Sequence, residues 1–377
     1  MIGLHDIIGQ DDAVARLQAA MHGQRMPHAF LFVGPEGVGR RTTAQAMAAT
    51  LLCSKPVEQA LLVGPPFRIA CGRCEDCLLL AAGTHGDLHT VYKELARYHD
   101  DPAVRGRVMQ DLGIDVIRSF LIAPAGRSAG RGRGKVFIVL EAELMSNAAQ
   151  NALLKTLEEP PPNVTIILVC SQAEQLLPTT LSRCSMVRFG PLPAEFVTQR
   201  LVAAGVDEAQ AGFWAAYTAG SLGVSLRLAG QGMYEVKCDV ISRLAAMPPA
   251  GDAELSEHLA KLTEKLADDA VAAAKKLDGA ELSRSLASRR AAGTMLELIA
   301  SAYCDAMAVA TGSLRPLIHS DQRGAIASLA ERFAPIQLAE IVDDLGLCEQ
   351  LLWRNLNNKI VWDNVVIACA TAVTLRV

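Results

Sequence analysis

No stretch of the sequence approaches the ~20 consecutive apolar residues of a membrane-spanning helix, so no helical membrane span is expected. The opening residues, Met1-Ile2-Gly3-Leu4-His5-Asp6, lack the basic n-region of a secretory signal. Positive charge is not in excess either. A formal charge of −4 supplies no overall attraction to nucleic acid, and any such contact would need a local patch. No internal repeat of fixed period is present. Ten cysteines without a signal argue for a reduced, cytoplasmic chain and against a disulfide scaffold. What is present is a chain of 377 residues, 51% of them hydrophobic, enough for two or three domains with sizeable cores.

The next absence is local. Phe30-Leu31-Phe32-Val33 reads as a buried parallel strand, and Thr43–Leu52, free of Gly and Pro, reads as a helix. Between them Gly34-Pro35-Glu36-Gly37-Val38-Gly39-Arg40-Arg41-Thr42 has the frame of a phosphate-binding loop, in which backbone N–H groups cradle phosphates, a Lys reaches the outer oxygens and a Ser/Thr holds Mg²⁺. Here Arg40 stands in the Lys slot and Arg41 in the Ser/Thr slot. Arg is not a neutral replacement for a compact ammonium, and bringing Thr42 to the metal would lengthen the loop by one residue. The loop therefore reads as one that kept its shape and lost hydrolysis; the alternative is a glycine-rich turn with no nucleotide history. A second strand, Val136–Leu140, should end in the acid that organises Mg²⁺. Leu140 occupies that position, with Glu141 beside it and Glu143 two residues further on.

Cys71-Gly72-Arg73-Cys74-Glu75-Asp76-Cys77 sets three thiols at C-x-x-C-x-x-C spacing, and Cys53 can supply a fourth from the end of the preceding helix. Four thiolates make a closed tetrahedral site, which is structural zinc chemistry; an iron–sulfur cluster or a redox pair remains open. His85 and His89 are nearby, but the site is complete without them, and His28 reads as a packing residue before the first strand.

Residues 5–26 read as a lead-in helix with its N-cap in Gly9-Gln10-Asp11-Asp12, residues 91–110 as an exposed connection, and 111–121 as helical. Gly126-Arg127-Ser128-Ala129-Gly130-Arg131-Gly132-Arg133-Gly134-Lys135 reads as a flexible basic loop, solvated in preference to bound to a DNA backbone. Asn147–Glu159 is a helix stopped by Pro160-Pro161-Pro162, and Val164–Val169 a third buried strand, followed by Ser171, a candidate sensor of a terminal phosphate. Leu181-Ser182-Arg183-Cys184 and a further strand, Val187–Phe189, follow. Beyond 190 short helices give way, from about 251, to long amphipathic ones with apolar faces at Leu255, Leu259, Leu262 and Leu266, then Leu282, Leu286, Met295, Leu298 and Ile299, then Trp353, Leu356, Ile360 and Val361.

Taken together, Gly9-Gln10, Pro27–Phe32, Gly34–Gly39, Cys71–Cys77, Ala82–Asp87, Asn151–Pro161 and Leu181–Cys184 make the chain resemble the delta-prime family of bacterial DNA polymerase III clamp-loader subunits. The match is dense over 5–190 and architectural beyond 250. The resemblance implies an α/β fold: a RecA-like AAA+ P-loop domain over 1–190 with an inserted zinc module (53–77), a small helical lid over 191–248, and an all-α collar over 249–377. It implies Zn²⁺ held by Cys53, Cys71, Cys74 and Cys77, and an arginine finger at Arg183, within Ser182-Arg183-Cys184, supplied in trans to the ATP of a neighbouring gamma/tau subunit. It further implies a cytoplasmic hetero-oligomer, a pentameric ring with gamma/tau and delta subunits that loads the sliding clamp on primed DNA, with no membrane partner and no activity of this chain's own. The ATP-hydrolysing gamma/tau type is the alternative. It would carry Lys and Ser/Thr at Arg40 and Arg41, an acid at Leu140 and an Arg near Gly223. ATP binding by Gly34, Gly37, Val38, Gly39, Arg40, Arg41, Thr42 and Glu141 stays open, as do a shifted-register ATPase and a zinc-dependent DNA-binding module of another class.

Overall fold

The computed structural model describes residues 2–23, 26–59, 66–105, 111–248, 251–278, 283–354 and 357–371. Leu282 and Leu356, placed on apolar faces above, lie outside the described residues. The chain divides into two compact units: residues 1–193 with Gly220–Gly223, and Ala194–Ala219 with Val224–Val377.

The first unit is built on a parallel sheet, five-stranded among the described residues. Its strands are β1 (Ala29–Val33), β4 (Leu88–Val91), β5 (Lys135–Val139), β6 (Val164–Cys170) and β7 (Ser185–Arg188), in the order β4-β5-β6-β1-β7. A separate antiparallel ribbon pairs β2 (Val57–Gln59) with β3 (Phe67–Ile69). Strands β5 and β6 are buried at every residue and β1 at all but Val33, which is why each reads as an unbroken apolar run instead of an alternating one. Strand β1 lies between β6 and the edge strand β7, with Phe30 opposite Ile167 on one side and Ser185 on the other. One face of the sheet carries Leu31, Phe137, Ile166 and Leu168 into a core shared with Val116, Leu121, Leu153 and Leu157.

The helices around this sheet are α1 (Asp11–His22), α2 (Arg40–Leu52), the helical stretch 114–125 and the helix Asn147–Glu158, and α3 (Glu75–Ala81) packs against α2. Helix α1 is shorter than the 5–26 expected, because Leu4–Asp6 forms a separate single turn and Gly9 adopts φ +73° before the helix begins. The helix Asn147–Glu158 starts where Ser146 Oγ accepts the Ala149 N–H at 3.2 Å, the N-cap that its sequence offers. The last strand runs Ser185–Arg188, starting two residues and ending one residue earlier than Val187–Phe189. Strand β4 falls where no strand was expected: Leu-His-Thr-Val is half-buried at three of four positions on the sheet edge, so it carries little hydrophobic signal.

The second unit is helical throughout its described residues. Helices Ala194–Ala203, Glu208–Tyr217 and Met233–Ala246 precede the long pair Ala253–Asp278 and Arg284–Ala310, and Arg323–Arg332, Pro335–Trp353 and Asn358–Thr371 follow. Leu255 and Leu259 are buried as the periodicity requires, whereas Trp353 and Ile360 point to solvent and Val361 and Trp362 point in. Trp362 Nε1 donates to Thr263 Oγ1 at 3.0 Å, so its one polar atom is satisfied inside the core. Lys237, fully buried, is matched by Asp321 and by the Phe213 ring, 4.0 Å from its Nζ. No helix among the described residues is long and apolar enough to cross a membrane.

Leu168→Ala, at the centre of β6, removes a fully buried side chain from the sheet core. It should cost about 2–5 kcal/mol, read as a lowered midpoint in denaturant unfolding.

Candidate nucleotide-loop and metal sites

The glycine loop leaves the C-terminal end of β1 between the ends of its two neighbours. Gly34 N–H donates to Cys170 O at 3.3 Å, and the Phe189 N–H reaches Val33 O at 2.7 Å. A Cβ added at Gly34 would lie 2.3 Å from Phe189 O, so only glycine lets the chain pass. Gly37 and Gly39 take φ +75° and +102°, and Gly39 caps α2 without a side chain of its own, leaving the first N–H groups of α2 facing the loop. The frame of a phosphate loop is therefore intact.

Its chemistry is not that of a Lys–Ser/Thr site. The Arg40 side chain is about nine-tenths buried, and its Nη1 has no hydrogen-bond partner among the described residues. Burial lowers its pKa, while Glu143, Cys170 and Glu36 pull it back up, Glu143 most. Arg41 is exposed and Thr42 half-buried. Leu140 follows β5 with its N–H on Val91 O at 2.9 Å, placing a methyl-ended side chain where an acid would organise a cation. Glu141, at φ +49°, turns outward to Lys93 at 3.1 Å. Glu143 is the acid that faces the loop. Its Oε1 accepts from the Ser171 N–H at 3.1 Å and from the Ser171 hydroxyl, and its buried Oε2 has no partner among the described residues. Beside it, burial and then Glu143 push the Cys170 thiol up to about 12.

Two further contacts were invisible in the sequence. The Gln10 amide donates to Val38 O at 3.2 Å and Gly190 O at 2.8 Å, and accepts from Gly190 N–H at 3.1 Å, tying the start of α1 to both the loop and the end of β7. Ser221 Oγ donates to Glu36 O at 2.7 Å and Gly223 N–H to Gly37 O at 3.0 Å. A Cβ at Gly223 would stand 2.9 Å from Gly37 Cα, so backbone meets backbone where the alternative reading requires an Arg side chain.

Arg183 lies after the short helix Pro178–Leu181. Its Nη1 donates to Thr179 O at 2.8 Å and its Nη2 pairs with Glu158, leaving the side chain about one-third exposed. Ser182 Oγ donates to Thr179 O at 3.2 Å, and burial pushes the half-buried Cys184 thiol up to about 12.

The four cysteines Cys53, Cys71, Cys74 and Cys77 come together with their sulfurs within 4.8 Å of one another. The Cys53 sulfur lies 3.6 Å from that of Cys71, 3.7 Å from Cys74 and 3.6 Å from Cys77, and Cys71 lies 3.9 Å from Cys77. Four thiolates bound at ~2.3 Å around one tetrahedral ion would sit ~3.8 Å apart, so the set fits a metal. These separations are far from the ~2.05 Å of a disulfide. Backbone N–H groups of Cys71, Cys74 and Cys77 point at the sulfurs of Cys53, Cys71 and Cys74 at 3.3, 3.3 and 3.5 Å, supplying the donors that a thiolate wants. Burial pushes the Cys74 thiol up, yet hydrogen bonds from Ser54 and Cys77 outweigh it and bring it down to about 5.

A parallel sheet with a glycine loop at the tip of β1, carrying a cysteine module and followed by a helical region, defines an α/β protein with the frame of a phosphate-binding loop. Two family models match the chain: one described as DNA polymerase III, delta subunit, over residues 9–193, and one as DNA polymerase III, delta subunit, C terminal, over 257–369. The chain belongs to this family of DNA polymerase III subunits, as the resemblance in its sequence implied. It is 34% identical over 217 residues to DNA polymerase III subunit delta' of Pseudomonas aeruginosa, covering 57% of this chain and 59% of that one. With subunit delta' of Escherichia coli it shares 31% over 239 residues, 63% and 65% of the two chains. With subunit gamma/tau of Mycobacterium tuberculosis it shares 35% over 188 residues, 50% and 28% of the two. The chain thus spans about three-fifths of the length of these two delta' relatives.

Gln10→Ala would leave the Val38 and Gly190 backbone groups without their partner in a buried place. A loss of about 1–3 kcal/mol is expected, measurable by denaturant unfolding.

Proposed function

We propose that this protein is a delta-prime-type subunit of a DNA polymerase III clamp loader that holds its place in a hetero-oligomeric ring and does not hydrolyse ATP. The observation that carries this reading is the occupant of the lysine slot. A rigid guanidinium, buried and drawn toward Glu143, cannot act as the mobile point charge that follows a γ-phosphate, and Leu140 removes the acid for Mg²⁺. Loss of both groups at one loop accounts for an intact frame without turnover. Calorimetry with ATP and Mg²⁺ on the purified chain should show no hydrolysis; turnover by the isolated chain would return it to the gamma/tau type.

In this reading the chain's own chemistry is Arg183, offered in trans to the ATP of an adjacent gamma/tau-type subunit, flanked by Ser182 and Cys184. Residues 1–190 serve as the AAA+ domain, 191–248 as a lid and 249–377 as the collar through which the ring assembles. The partners are gamma/tau and delta subunits, the sliding clamp and primed DNA, in the cytoplasm. Arg183 rests on Glu158 when the chain is alone, so finger function exchanges that carboxylate for a neighbour's phosphate. Breaking a surface pair costs only ~0–1 kcal/mol, so the exchange is within reach. Zn²⁺ is the ion assigned to Cys53, Cys71, Cys74 and Cys77, in a closed structural site.

Arg183→Ala should leave the unfolding midpoint within about 1 kcal/mol of the parent and cut the DNA-stimulated ATPase of the reconstituted complex by about 10³–10⁵. An unchanged rate removes the finger assignment and leaves the rest standing.

A further inference from the structure

The loop 126–135 is exposed over most of its length, as expected, yet it is also fastened across the cysteine module. Arg131 Nε donates to Asp76, the residue before Cys77, and its Nη2 lies 2.6 Å from Glu75 Oε2. The Gly130 and Arg131 N–H groups donate to the two carboxylate oxygens of Asp87 at 2.8 and 2.9 Å. Arg133 Nη2 donates to Ser54 O, one residue after Cys53. Asp76 and Asp87 are 4% and 2% exposed. His85 stands between them, its Nε2 3.5 Å from Asp76 and its Nδ1 accepting from the Asp87 N–H at 3.1 Å. Asp87 O in turn accepts from the Val136 N–H at 2.9 Å, at the start of β5.

Buried carboxylates are tolerated only when paired and hydrogen-bonded, and here the loop supplies the arginine and the N–H groups. Two of its three arginines bracket the cysteines, Arg131 on the 71–77 side and Arg133 on the Cys53 side. We infer that residues 130–133 are a strap over the metal module, with Arg131 as a positioning residue for the metal-binding turn and with the order of the strap dependent on the metal. The inference rests on reading Cys53, Cys71, Cys74 and Cys77 as a metal site. With the ion bound, Ser54 O and the Glu75–Asp76 carboxylates are held at a fixed spacing that Arg131 and Arg133, two residues apart, can both reach. Without it no cross-link shorter than the intervening chain joins the 71–77 turn to Cys53, the two docking points drift apart, and one arginine lets go. The converse follows by linkage: releasing the ion lifts the 71–77 turn, which must break the Arg131–Asp76 pair, so the strap slows metal loss. The same contacts pair Arg131 and Arg133 within the chain, although both remain exposed.

The experiment uses the full chain with its metal content quantified, comparing the parent with Arg131→Gln and Asp87→Asn. Trypsin cleavage after Arg127 and Arg133 is followed before and after chelation, normalised to cleavage within residues 224–377, together with the rate of metal release to a chromogenic chelator. Chelation should speed cleavage in the strap about tenfold, and each variant should release metal about 10–100-fold faster, the range seen for residues that orient metal ligands. Asp87→Asn keeps the Arg131–Asp76 contact, so it tests the strap even if Arg131→Gln misfolds. A parent that carries metal, keeps the same strap cleavage after chelation and releases metal at the rate of the variants would overturn the strap alone. A parent purified without metal would overturn the metal reading, and the strap with it.

Discussion

The crowding at the C-terminal end of β1 governs the first unit. The strand lies between β6 and β7, and the chain leaves it through a gap bounded by Cys170 O and Phe189 O that admits no side chain at Gly34. From that point the loop, the N-terminus of α2 and the buried Arg40 follow with little freedom. Gln10 from one side, and Ser221 with Gly223 from another, then hold the loop carbonyls of Val38, Glu36 and Gly37. A loop gripped by its own chain keeps its shape without a nucleotide. That explains how the frame holds with Arg40, Arg41 and Leu140 in place.

The same constraint explains where the acids went. Strand β5 ends at Val139, and Leu140 fills the place next to the loop. Glu141 leaves in a left-handed turn toward Lys93, and Glu143 returns one turn later to Ser171, facing Arg40. A buried cation needs a nearby anion more than it needs a cofactor, and Glu143 meets that need from within the fold. Two carboxylates two residues apart thus have opposite surroundings, one half in water and one at the strand tips.

Much of this was legible in order. The strands β1, β5 and β6 are continuous apolar runs, the helix Asn147–Glu158 carries its own cap and a proline stop, and the four cysteines have a spacing that needs no fold to interpret. Strand β4 was not legible, because an edge strand of Leu-His-Thr-Val shows neither alternation nor a run. The anchoring of the exposed loop 126–135 was hidden for a related reason. Glycine and arginine read as solvated, which they are, but nothing local signals the carboxylates that receive them, because Asp76 and Asp87 lie more than forty residues away in sequence. Glu141 stood out because it adjoins the strand, and only the turn at φ +49° sends it away.

The sequence by itself determined the local elements, the glycines of the loop, the presence of Arg40, Arg41 and Leu140 where a Lys, a Ser/Thr and an acid would stand, and the identity of the four sulfurs. These are properties of residue type and spacing along one chain, fixed by sterics and by what each side chain can donate or hold. The tertiary structure alone decided which acid faces Arg40, what Gln10 and Ser221 grip, where Arg183 rests, and that the arginine loop lies on the cysteine module. Each of these is a contact between residues far apart in the chain, and a polar group finds its partner only after the sheet has brought them to the same edge and removed the water between them.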